Sequence, residues 1–199
     1  MLLNNISAYK IILASASPRR QELLSSLGLK FEVVAGYSSD EIYPEDMPVS
    51  GIPLFLAKQK STDFPRVLQS GEIVITADTI VALGDEVLHK PASYEDAFHA
   101  LSLLSSRSHF VYTGVCIRSV EKEASFVSAT EVRFGELSPE EIHHYIEQFK
   151  PFDKAGSYGI QEWIGFVAVE EIHGSYFNVM GLPVHRLYRE LEKFIAEVE

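Results

Sequence analysis

Two arginines follow a Ser-Pro pair in LASASPRRQELL, and their position is unfavourable unless something compensates it. Ser17 can cap free N–H groups and Pro18 suits the first helical position, so Arg19 and Arg20 fall in the first turn of a helix. That is the positive end of the helix dipole, where an exposed cation is disfavoured by roughly 0.3–1 kcal/mol. The chain holds its own control: at Ser138-Pro139-Glu140-Glu141 the same start is followed by two acids. Two readings account for the arginines. Either they and the helix N–H groups surround a bound phosphate, or they turn away and pair with Glu22 or another surface acid.

A second misplaced charge is Asp78, inside the apolar run IVITADTIVAL. An ionised carboxylate is costly to bury without a cation or several hydrogen bonds. Asp78 therefore caps a backbone turn, pairs with an arginine, or lines a cleft where it binds Mg²⁺ or activates water. Lys60 in LAKQKS, Lys90 in HKPAS and Glu41 in SSDE are weak signals singly. In DKAGSYGIQ, Lys154 and Gln161 flank small residues that would let backbone amides approach a ligand. One acid, several cations and glycine-bearing turns fit metal-assisted phosphoryl chemistry better than acyl transfer. No Gly-x-Ser-x-Gly, P-loop or Gly-x-Gly-x-x-Gly is present, and the histidines show no metal spacing.

The elements that must position these groups follow from pattern. KIILAS reads as a buried strand running into the Ser17 helix, which stops near Gly28. FEVVAG is a second strand, YSSDEIYPEDMP a polar loop and PLFLAKQKSTDF a helix. EIVITADTIVALGDEVL is a central strand with a hairpin turn at Gly84-Asp85. Ser93 and Asp96 form a capping box for the next helix. SHFVYTGVCIRS and ASFVSATEVRFGEL are paired strands, followed by the Ser138 helix, a loop through DKAGSYGIQEW, a strand at GFVAVEEI, a turn near Gly174 and a final helix from Pro183. Helical connections mixed with hairpins imply an α/β fold, a twisted mixed sheet flanked by helices, rather than an all-parallel one.

The 199 residues are expected to form one folding unit over 1–199. A net charge of -11 argues against non-specific binding to nucleic acid or an anionic membrane, so an anionic ligand must be drawn by a local cluster. The single Cys116 sits in apolar TGVCI and reads as a buried thiol rather than a nucleophile. No apolar run approaches a membrane span, and polar Asn4, Asn5 and Lys10 interrupt any signal-peptide core, so a cytoplasmic location is the default.

LASASPRRQELL, ADTIV, the following KP, DKAGSYGIQ and YFNVMGLPV stand in an order and spacing that resembles the Maf family of nucleoside triphosphate pyrophosphatases, from about Lys10 to the final helix. The resemblance implies a metal-dependent enzyme cutting a nucleoside triphosphate between its α and β phosphates, a fold similar to the inosine triphosphatase group with a cleft between two lobes, and a possible homodimer. It makes Asp78 the catalytic carboxylate. Ser15, Ser17, Arg19, Arg20, Lys60, Thr79, Lys90 and Gln161 become substrate contacts, with Arg19, Thr79 and Gln161 bearing on substrate choice. A divalent cation, Mg²⁺ or Mn²⁺, would be held by Asp78 and by the acidic position after the second strand, Asp40 or Glu41, of which Glu41 is taken. DKAGSYGIQ resembles the dTTP and UTP branch; Glu162 departs from the glycine usual there. The competing expectations are a 7-methyl-GTP pyrophosphatase and a nucleotide-sensing regulator of cell division without turnover.

Overall fold

In a computed structural model the described residues are 5–36 and 42–196. Strand β1 (Lys10–Leu13) runs into helix α1 (Pro18–Ser25), and β2 (Phe31–Val33) follows. Helix α2 (Ile52–Thr62) leads to the long β3 (Glu72–Leu83) and its hairpin partner β4 (Glu86–Leu88). Then come α3 (Tyr94–Leu104), the paired β5 (Ser108–Arg118) and β6 (Glu123–Phe134), and α4 (Pro139–Phe149). The chain closes with α5 (Trp163–Val167), β7 (Val169–His173), α6 (Tyr176–Val179) and α7 (Val184–Ala196).

The strands form one mixed sheet in the order β2-β1-β3-β5-β6-β7, with β4 added to β3. Strand β1 is parallel to both neighbours, and all pairs from β3 onward are antiparallel. The expected mixed α/β architecture is therefore the observed one. Local rules account for much of it. Ser93 with Asp96 and Ser138 with Glu141 each form the reciprocal capping box, and Ser17 accepts from the Arg20 N–H at 3.5 Å. Apolar side chains gather in two main clusters. One packs α1 and α7 on β1, β3 and β5; the other packs α3, α4 and the loop after α4 on the far end of β3, β5 and β6. Met180 touches both.

Two segments differ from expectation. GFVAVEEI is not a continuous strand: Gly165–Val167 belong to α5, and β7 begins at Val169. The cause is a contact at Gly165, where a Cβ would lie 1.8 Å from the Ile160 carbonyl oxygen, while the Gly165 and Ala168 N–H groups bond to Glu162 and Ile164 carbonyls at 2.9 and 2.8 Å. The alternation of apolar residues is the same for either conformation. The short α6, capped by Ser175, also stands where only a turn is expected.

The sheet has a gap, and the gap positions the site. Strand β5 covers one edge of β3 from Val74 to Ala82. On the other edge β1 pairs with Glu72–Ile75 and β4 with Val81–Leu83. Residues 76–80 therefore have no strand partner on that edge among the described residues, and Asp78 lies in the middle of this bare stretch.

Candidate active site

Period-two alternation sends neighbouring residues of β3 to opposite faces. Thr76, Asp78 and Ile80 face α2: Thr76 Oγ1 donates to the Ala57 carbonyl at 2.7 Å, and Ile80 packs on Ile52 and Leu56. Between them the Asp78 carboxylate, 7% exposed, meets the Lys60 ammonium at 2.5 Å. The compensating cation for Asp78 is thus a lysine one helix away. Helix α2 reaches this distance because Gly114, directly opposite Asp78 on β5, has no side chain. A Cβ there would lie 2.3 Å from backbone atoms of Pro53 and Leu54.

Thr79 faces the other way, into a second group of contacts. Arg20 Nη2 donates to Thr79 Oγ1 at 3.0 Å and Arg20 Nε to the Gly181 carbonyl at 2.9 Å, while Thr79 and Thr113 hydroxyls bond at 3.0 Å. Thr113 in turn donates to the Asn178 carbonyl at 3.1 Å. Asn178, fully buried, donates from Nδ2 to the Val111 carbonyl and to Thr130 Oγ1, both at 3.0 Å. The YFNVMGLPV stretch is so pinned beneath the cleft, and it presents the acceptor that holds Arg20.

Arg19 points across the cleft instead and meets Asp153 at 3.0 Å. Lys154, buried, pairs with Asp153 at 2.7 Å and with Glu162 at 3.1 Å. Burial alone would push the Asp153 carboxyl up, but the hydrogen bonds and charges of Lys154 and Arg19 outweigh it and hold the carboxyl below its usual range. The pairing expectation for the arginines is thus met at Arg19 by Asp153 rather than by Glu22.

These groups line one cleft of about 320 Å³, which includes Ser17, Arg19, Arg20, Lys60, Asp78, Thr79, Lys90 and Gln161. A contiguous hollow of about 390 Å³ adds Ser15 and shares Ser17, Arg19, Arg20, Lys60 and Lys90. Every expected site residue except Glu41 is brought together; Glu41, like Asp40, lies outside the described residues. Five cations (Arg19, Arg20, Lys60, Lys90, Lys154) face two carboxylates (Asp78, Asp153) in the first cavity, a local positive excess on a chain of net charge -11. This is the local cluster an anionic ligand requires.

The glycines of DKAGSYGIQ serve a different purpose from the one expected. A Cβ on Gly156 would lie 2.8 Å from the Val81 side chain, and one on Gly159 2.9 Å from Glu162 Cδ. They make room for the protein's own packing. The loop still ends at the cleft with Gln161, whose Oε1 is buried and unpartnered.

Sequence reasoning missed Asp153, Asn178, Thr113 and Gly114. Of these only Gly114 carried a signal, a glycine inside a strand, which marks close approach by another backbone. As to metal, no group of three or more His, Cys, Asp or Glu side chains gathers among the described residues. Mg²⁺ is commonly held by one or two carboxylates with substrate phosphates and water completing its shell. Asp78, a single buried carboxylate in a cation-rich cleft, suits that donor set.

Residues 10–194 match the family described as Maf-like protein. The chain belongs to the Maf family. It is 54% identical over 192 residues, 96% of its own length and all of the relative's, to a protein of Phocaeicola vulgatus named dTTP/UTP pyrophosphatase. Proteins of the same name from Bacteroides thetaiotaomicron and Parabacteroides distasonis are 47% and 48% identical, over 96% and 97% of this Maf chain and the whole of each relative. A solved HAM1 protein from Coxiella burnetii aligns over 63% of this chain and 73% of its own at 15% identity, with a TM-score of 0.39. Among the described residues no helix of this Maf protein is long and apolar enough to cross a membrane.

Proposed function

We propose that this Maf protein is a metal-dependent nucleoside triphosphate pyrophosphatase that hydrolyses dTTP and UTP to the monophosphate and pyrophosphate. The observation that carries this reading is a buried carboxylate, Asp78, fixed on a strand in a cleft where five cations outnumber the carboxylates. A carboxylate beside phosphate is repulsive unless chemistry or a metal requires it. The names borne by its relatives supply the substrates and favour this reading over 7-methyl-GTP.

Phosphoryl transfer asks the protein mainly for positioning and charge neutralisation. Asp78 orients a water in line with the α-phosphorus and accepts its proton as the bond from that phosphorus to the α,β-bridging oxygen breaks. Lys60 holds the carboxylate in place, and with Arg19, Arg20 and Lys90 it neutralises the leaving pyrophosphate, while Ser15 and Ser17 add donors at the start of α1. Asp153, being exposed, yields Arg19 to a phosphate at little cost. Thr79 acts through the Arg20 guanidinium it accepts from. The buried Gln161 Oε1 is an acceptor suited to the ring N–H of thymine or uracil. A divalent cation, Mg²⁺ or Mn²⁺, held by Asp78 and Glu41 together with phosphate oxygens, would neutralise triphosphate charge.

The test is pyrophosphate release from dTTP, UTP, CTP, GTP and 7-methyl-GTP, with and without Mg²⁺, beside Asp78→Asn. Metal-dependent release from dTTP and UTP that the variant loses is the expected result. Tight binding without release from any nucleotide would make the protein a sensor rather than an enzyme. A homodimer belongs to the same proposal, and a monomeric mass in light scattering would remove it.

A further inference from the structure

The cleft wall formed by residues 158–161 is held from behind by a clamp the chemistry above does not use. Glu162 divides its two oxygens: Oε1 meets Lys154 Nζ at 3.1 Å, and Oε2 accepts from the hydroxyl of Tyr145, a fully buried side chain on α4. The same Tyr145 hydroxyl accepts the Gly159 N–H at 3.0 Å. Glu162 also fills the space beside Gly159, and Gln161 Nε2 lies 3.1 Å from where a Gly159 Cβ would be. One carboxylate thus ties the rigid helix α4, the buried Lys154 and the peptide next to Gln161 into one unit. Burial, reinforced by the hydrogen bond to Glu162, pushes the Tyr145 phenol up, so it stays a donor to that carboxylate at any working pH.

We propose that Glu162 is a positioning residue for nucleobase recognition: with Tyr145 it fixes the Gly159–Gln161 wall so that the Gln161 amide meets a pyrimidine imide. This rests on the dTTP and UTP reading. Glu162 lines neither cavity itself, so it acts on the base through Gln161. Its loss leaves the phosphate side of the cleft, Arg20, Lys60 and Lys90, with its contacts intact.

Two readouts separate positioning from general stability: the dTTP-to-GTP ratio, taken both in kcat/KM and in equilibrium affinity, and the affinity for inorganic tripolyphosphate, which has no base. Glu162→Gln keeps the side-chain volume but turns an amide N–H₂ toward either Lys154 or Tyr145, breaking one half of the clamp. The dTTP preference should fall about tenfold, the loss expected when one recognition hydrogen bond is misplaced, while tripolyphosphate binds as well as before or tighter, because a negative charge near Lys154 has gone. Tyr145→Phe removes the hydroxyl shared by Glu162 and the Gly159 N–H and should lower the same ratio, so it keeps the proposal testable if Glu162→Gln fails to fold. A preference unchanged in the folded variants overturns the proposal, as does a parallel loss of tripolyphosphate and nucleotide affinity at constant ratio. A wild-type protein that prefers dTTP in binding but turns over nothing refutes the enzyme reading and leaves the affinity ratio as the test. Absence of any wild-type base preference refutes both.

Discussion

Gly114→Ala adds one methyl group on the strand opposite Asp78, and should disable the site. The new Cβ would lie 2.3 Å from Pro53 C, Pro53 O and Leu54 N, where ordinary contact begins near 3.4 Å, so α2 must retreat by about 1 Å. The clashing atoms are backbone, so no rotamer change relieves them. Overpacking of this kind costs about 1–3 kcal/mol, and we take the upper end. At roughly 2–4 °C per kcal/mol for a chain of this size, Tm should fall by about 6–12 °C. Helix α2 carries Lys60, so the retreat also opens the 2.5 Å contact with Asp78. A misplacement of about 1 Å at a reacting group can cost about 100-fold in rate. Thermal unfolding and pyrophosphate release on the same preparation measure both effects. Gly51→Ala is the control: the nearest atom to its Cβ is Met47 Cγ at 3.7 Å, and both quantities should stay near wild type. A Gly114→Ala protein with unchanged Tm and rate would refute the claim that this glycine sets the distance between helix and strand.

Three further outcomes follow from the same contacts. Burial lowers the His109 pKa from 6.5 to about 4, so the unfolded chain binds the extra proton first. The stability this provides is complete above pH 6.5 and is lost as pH falls toward 4, by about 3 kcal/mol in all at 1.36 kcal/mol per pKa unit. Denaturation titrations across that range should show the slope, and His109→Gln should flatten it. Arg20→Lys cannot reach both the Gly181 carbonyl and Thr79, and should weaken dTTP affinity by about tenfold, read by isothermal titration. Cys116, its thiol pushed up to about 11 chiefly by burial, should resist a thiol reagent at pH 8 in the folded protein and react fully in denaturant. Rapid labelling of the native state would contradict its placement in the core.

The site residues legible in the sequence are those that break a local rule. Arg19 and Arg20 at the positive end of a helix, and Asp78 in an apolar strand, each require a compensating partner, and the structure supplies one for each: Asp153, the Thr79 and Gly181 oxygens, and Lys60. The capping box at Ser93, the helix start at Ser138 and the Gly84-Asp85 hairpin were legible for the converse reason, since short-range chemistry decides them alone. Asn178 and Thr113 obey every local preference. Their importance comes from contacts with Val111, Thr130 and Thr79, each more than thirty residues away from its partner. The GFVAV segment was misread because its fate depends on Gly165 packing against the Ile160 carbonyl, and alternation of apolar residues does not register that contact.

The bare edge of β3 explains why the legible residues come from such separate stretches. A strand paired on both sides offers a ligand only side chains. Where β1 ends at Leu13 and β4 begins pairing only at Val81, the edge of β3 opens and neighbouring segments converge on it. The β1–α1 turn brings Ser15 and Ser17 and the first turn of α1 both arginines from one side, α2 brings Lys60 over one face, and the chain after β4 brings Lys90. The loop before α5 brings Gln161, and the turn after α6 brings the Gly181 carbonyl. The charge of Asp78 is compensated by Lys60, and it stands at the part of β3 where the sheet stops short and the other cleft residues can approach it. The site and the interruption of the sheet are therefore one feature, and restoring a continuous edge there would remove both.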